Sequence, residues 1–106
     1  MSDAFHNRED TFEKQFVNDE TLRFKATARR NKAVALWIAD MKGLKADAAE
    51  KYAEEFVGAH VGKSDDDVAA ALKKDLGTDP FLSDHRLRKK MGDEMAAALA
   101  SVKAGR

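Results

Sequence analysis

The sequence predicts an all-α protein: a compact antiparallel four-helix bundle with a flexible N-terminal arm. Three observations carry that prediction. Apolar residues recur three and four positions apart in four separate stretches. No stretch sustains the alternation of apolar and polar residues that a strand needs. The single proline and the six glycines fall mostly between or beyond the periodic stretches. A chain of 106 residues suits one domain. We divide it into an arm over residues 1–18 and a bundle over 19–106, with helices at about 19–42, 46–60, 64–76 and 83–104.

The first helix has Asn18 available as its cap, with Asp19 and Glu20 placed favourably against the helix dipole. Val17 and Leu22 stand at staple spacing, and Gly43 supplies a stop. Its apolar content is uneven. Residues 33–41 are apolar over a wide arc and belong in a core, whereas residues 19–32 have no such face. The first half is therefore expected to be solvated or to project.

The second helix carries a stripe of Ala49, Tyr52, Ala53, Phe56 and Val57, and Gly58 and Gly62 weaken its end. In the third, Ser64 followed by Asp67 is a capping-box variant, and Asp65 and Asp66 add to the dipole interaction. Val68, Ala71, Leu72 and Leu76 form its face; Gly77 ends it and Pro80 prevents its continuation. The fourth begins after Ser83 and turns Leu87, Met91, Met95, Ala98, Leu99 and Val102 to one side. Gly92 interrupts it, as a close helix contact or, the reading we prefer, as a tolerated weak spot costing about 1 kcal/mol relative to alanine. The predicted core is Trp37, Tyr52, Phe56, Leu72, Leu76, Leu87, Met91 and Met95.

Several function classes find no support. Without cysteine there is neither a disulfide nor a thiolate nucleophile, and no G-x-S-x-G, Walker loop or G-x-G-x-x-G is present. His6, His60 and His85 lie in different segments without i, i+4 spacing, so no metal site is expected. Asp65-Asp66-Asp67 lacks the glycine and terminal glutamate of a calcium loop. No cofactor and no enzymatic activity are predicted. Zero net charge gives no footprint for nucleic acid, and no apolar run approaches the ~20 residues of a membrane span. A cytoplasmic protein is expected. Basic clusters on the first and fourth helices, with Arg29, Arg30, Arg86 and Lys89 as the residues to watch, offer weak candidates for an adenine nucleotide or another anion.

Neutrality hides a pattern. Residues 1–20 hold six acids against two bases, a balance of −4, and residues 21–39 hold five bases and no acid, +5. Within the acidic stretch, Phe5, Phe12 and Phe16 fall within about 40° of one another on a helical wheel at ~100° per residue. Glu9 fills the gap in this seam, and the remaining surface is polar. Such a seam suits a helix laid into a partner's groove. The competing reading packs it back on the bundle as a short fifth helix. An isolated helix of ~12 residues is marginal in water, so the arm is expected to be mobile when free. Burying three phenylalanines at about 1.5–3 kcal/mol each can exceed the about 2–5 kcal/mol that ordering such a segment costs.

A family resemblance runs through the same residues. Arg8-Glu9, Phe12-Glu13, Phe16, Asp19-Glu20, the run Arg23-Phe24-Lys25-Ala26-Thr27-Ala28-Arg29-Arg30-Asn31-Lys32 and Leu36-Trp37 resemble the zeta inhibitor subunit of alphaproteobacterial F-type ATP synthases. Ser83 to Met91 is similar to the start of that family's last helix, from which Gly92 departs. The resemblance implies a four-helix bundle whose N-terminal segment becomes helical between the alpha and beta subunits of the catalytic sector. There it wedges the central rotor and blocks ATP hydrolysis, at the cytoplasmic face of the inner membrane. By that resemblance residues 1–19 are the inhibitory element. Phe5, Phe12 and Phe16 would be its anchors, and Arg8, Glu9, Glu13 and Lys14 its polar contacts.

Overall fold

The computed structural model of the chain describes residues 20–105. Four helices fill it: α1 (Glu20–Met41), α2 (Ala46–Ala59), α3 (Asp65–Leu76) and α4 (Asp84–Lys103). The Asn18 cap, Val17 of the staple and the whole arm fall outside the described residues.

Local chemistry sets the helix ends. After α1, the amide of Leu44 donates to the Ala39 carbonyl and that of Gly43 to Asp40, with Gly43 at φ +83°. This is the Schellman pairing, and it needs a left-handed residue where glycine stands. The Ser64 hydroxyl accepts from the amide of Asp67, and the Ser83 hydroxyl from that of Arg86, so one serine caps each of α3 and α4. Gly77 follows α3 at φ +79°, ψ −157°, a region open essentially to glycine alone.

Side-chain pairings fix the topology. Arg29 bonds Ser101 while Lys90 lies over Trp37, so α1 and α4 run antiparallel. Lys32 pairs with Glu50 at one level of α1, and Lys42 covers Tyr52 at another, which sets α2 beside α1. Asp66 to Arg88 and Lys73 to Asp84 tie α3 antiparallel to α4. The principal core combines Val34, Ala35 and Ile38 of α1 with Ala53 and Phe56, Val68 and Leu72, and Leu87 and Met91. Trp37, Tyr52 and Leu76 pack against it only partly buried.

The first half of α1 departs from expectation. Ala26 is fully buried against Ala98 and Val102, with Leu22, Met95 and Leu99 partly buried around it. No broad apolar face is needed there. Small residues on both helices allow a close approach, and a short second cluster holds the end of α4. Met95 therefore belongs to this satellite and not to the principal core. Gly92 has open space where a Cβ would stand, so no close helix contact explains it.

Candidate functional site

Phe5, Arg8, Glu9, Phe12, Glu13, Lys14 and Phe16 all fall outside the described residues. What the structure positions is the bundle to which that segment is joined at Glu20, and the surfaces bordering the junction.

The four basic residues singled out from the sequence do not form one site. Arg29 is exposed and donates to Ser101, and Arg86 donates to the Phe81 carbonyl. Lys89 pairs with Asp93 at 3.1 Å. Since Arg29 stands opposite Ser101 and Trp37 opposite Lys90, the α1 cations lie about 12 Å along the helix from the α4 cations, at ~1.5 Å per residue.

Arg30 is only 2% exposed. Its Nε and Nη2 donate to Asn31 Oδ1 at 3.0 and 2.8 Å, and its Nη1 donates to Asp65 Oδ1 at 2.7 Å. A guanidinium held this way joins α1 to the first turn of α3. Asp66, the next residue, reaches Arg88 on α4 at 2.8 Å. The acidic triplet thus does more than favour a helix terminus: Asp65 and Asp66 extend to two different helices. Sequence periodicity signals no such pairing, because the partners are 35 and 22 positions away.

Two of the surface depressions among the described residues bear on these side chains or on the junction. On α4 a depression is lined by Trp37, Arg86, Lys89, Lys90 and Asp93, with the Lys90 ammonium 5.6 Å from the Trp37 ring centroid. Trp37 and Lys90 were missed as candidate site residues, the first because it reads as core and the second because it is one member of a charge run. Between α1 and α2 lies a groove lined by Phe24, Thr27, Ala28, Val57, His60 and Val61. Its floor is ordered by the His60 ring, which stacks on Phe56 at 4.0 Å between centroids and bonds the Phe56 carbonyl at 2.8 Å. Tyr52, one turn back, donates to Asp75 at 2.7 Å, and burial first, then that hydrogen bond, pushes its hydroxyl above the usual tyrosine range.

Among the described residues no group of three or more histidines, aspartates and glutamates is placed to hold a metal ion. No described helix is long and apolar enough to cross a membrane. The fold and its surfaces define a small helical bundle in which several ion pairs tie one helix to another. The model of the family described as ATPase inhibitor subunit zeta matches residues 1–101. The chain belongs to that family. No curated protein and no solved structure matches it.

Proposed function

We propose that the chain inhibits the catalytic sector of an F-type ATP synthase. In this reading its N-terminal segment inserts as a helix between an alpha and a beta subunit and blocks rotation and ATP hydrolysis. The supporting observation is the family match, which begins at residue 1 and so takes in the three-phenylalanine seam as well as the bundle. Phe5, Phe12 and Phe16 fill apolar pockets of the partner, and Arg8, Glu9, Glu13 and Lys14 make its polar rim contacts. The bundle acts as an anchor too large to follow the segment into the interface. The site of action is the cytoplasmic face of the inner membrane, where the chain docks without entering the bilayer.

The test is the double substitution Phe12→Ala with Phe16→Ala, assayed for inhibition of ATP hydrolysis and for thermal unfolding of the bundle. Inhibition is expected to vanish while the unfolding midpoint stays within a few degrees of the parent. A much earlier midpoint would mean that the rings belong to the core.

A second reading is favoured by the Trp37 depression. An aromatic face beside Arg86, Lys89 and Lys90 has the chemistry to take an adenine nucleotide, the base on the ring and the phosphates on the cations. Trp37 is the only tryptophan, so its fluorescence during an ADP titration reads this site directly. No change at millimolar ADP would remove the reading.

A further inference from the structure

The connection between α3 and α4 ends in an aromatic side chain that the bundle does not use. Phe81 is 73% exposed, more than any other large apolar residue among the described ones. Its neighbour Leu82 packs against the core instead. A lone apolar residue in water needs no explanation by itself. Two further features coincide at this one.

The first is rigidity. Pro80 fixes its own φ, the Phe81 amide donates to Asp79 Oδ1 at 2.7 Å, and the Leu82 amide donates to the Asp79 carbonyl at 3.2 Å. Arg86 Nη1 donates to the Phe81 carbonyl at 3.0 Å. Both backbone polar groups of Phe81 are thus engaged, and the ring is held outward before any partner arrives. An ordered turn loses little freedom on binding.

The second is charge. Arg86 is exposed and has no carboxylate partner among the described residues; its bond is to that neutral carbonyl. The acids of the connection are committed elsewhere, Asp79 to the Phe81 amide and Asp84 to Lys73 and Arg88. Lys89 and Lys90 follow on α4 in exposed pairs with Asp93 and Glu94, which are weak. An outward aromatic ring beside a guanidinium is the pairing that protein interfaces favour. Its complement is an apolar socket with a carboxylate at the rim, since a carboxylate takes two parallel bonds from arginine.

We propose that Phe81 and Arg86 form a second docking surface of the bundle, seating the ring in an apolar socket and the guanidinium on a rim carboxylate of the ATPase catalytic sector. The inference deepens the proposed function and takes the partner's identity from it. Position gives the contact its use. Lys90 lies over Trp37, so this turn stands at the end of α1 remote from the arm junction. Trp37 is 17 residues from Glu20, about 25 Å at ~1.5 Å per residue. Two attachments that far apart fix the orientation of the bundle, and each raises the effective concentration of the other.

The test uses the full chain and an F-type catalytic sector. Phe12→Ala with Phe16→Ala removes the arm's proposed anchors, so the bundle contact is read alone. In isotope-enriched chain carrying that pair, substoichiometric catalytic sector is expected to broaden the amide signals of Phe81, Leu82 and Arg86 before those of Glu50 and Glu54 on α2. Adding Phe81→Ser should abolish this selectivity and leave the spectrum of a folded bundle, because the ring is mostly in water. In the otherwise unaltered chain, Phe81→Ser and Arg86→Glu should each raise the half-inhibiting concentration about fivefold or more, with full inhibition still reached. Arg86→Lys should cost less, since it keeps the charge and loses the paired bonds. Uniform broadening, with inhibition by Phe81→Ser equal to the parent's, would overturn the proposal and leave the inhibitor reading standing. Selective broadening at Phe81 with a parent that does not inhibit would uphold the docking surface and remove the inhibitor reading. Broadening at Phe81 that grows with concentration in the chain alone would make a second copy the occupant, and would also overturn the proposal.

Discussion

Arg30 Nη1 lies 2.7 Å from Asp65 Oδ1, joining a buried cation on α1 to an acid 68% exposed at the start of α3. The two ends of this bond differ in what they lose. Asp65→Ala leaves the guanidinium with Asn31 and with water entering beside α3, at a cost of about 1–3 kcal/mol. Arg30→Ala also empties its packed volume and strips Asn31 Oδ1 of both donors, at a cost of about 2–4 kcal/mol. Urea unfolding of the two single variants and the double variant tests this: the double should cost less than the sum. Strict additivity would show that the pair is not coupled.

Two glycines make opposite predictions. Gly92 is exposed in α4 with open space at its Cβ position, so Gly92→Ala should stabilise by about 0.5–1 kcal/mol. Gly77 also has room, but its backbone at φ +79°, ψ −157° excludes other residues, so Gly77→Ala should destabilise by about 1–3 kcal/mol. Thermal unfolding midpoints moving in opposite directions confirm both.

Acid should loosen the α3–α4 contact. The hydrogen bond from Lys73 chiefly, then the charges of Lys73 and Arg88, hold the Asp84 carboxyl below its ordinary value of 3.8. A depressed carboxyl contributes its stability fully above the unfolded-state value and loses it as pH falls through the lower folded-state one. Unfolding midpoints of the parent and of Asp84→Asn should therefore converge below pH ~4 and separate above it. Parallel curves across the range would mean that the ion pairs contribute nothing.

Tyr52 supplies the alkaline counterpart. Its hydroxyl is raised by burial and by Asp75, so the neutral form is favoured in the folded bundle. That stability is present below the ordinary value of 10.0 and is lost as pH rises above it. As Tyr52 is the only tyrosine, tyrosinate absorbance should rise at higher pH in the folded chain than in the urea-unfolded chain, and Asp75→Asn should narrow the difference. Ionisation near pH 10 with the helices intact would contradict it.

The all-helical class was legible because capping and punctuation are local. Ser64, Ser83, Gly43 and Gly77 act within a few residues, and each does in the structure what its chemistry suggests. The faces of α3 and α4 were legible too, since Leu72, Leu87 and Met91 follow a simple period. Burial in the first half of α1 was not, because alanine signals a close helix approach only when its opposite number is known. Ala26 meets Ala98 from 72 positions away. Arg30 was read as a surface cation for the same reason: its acceptor Asp65 belongs to another helix. The Trp37 depression combines a residue typical of cores with one drawn from a charge run, and neither pattern alone marks a site. The arm is the reverse case. Its seam is plain in the sequence, while the surface we propose for it lies on another protein.

The central claim is that the function resides in residues 1–19, with the bundle as anchor. It is tested most directly by ATP hydrolysis of an F-type catalytic sector in the presence of the full-length chain or of a chain lacking residues 1–19. The account predicts that the full-length chain inhibits and the truncated chain, folded by its helical spectrum, does not. Equal inhibition by both would place the activity on the bundle surface and contradict the account.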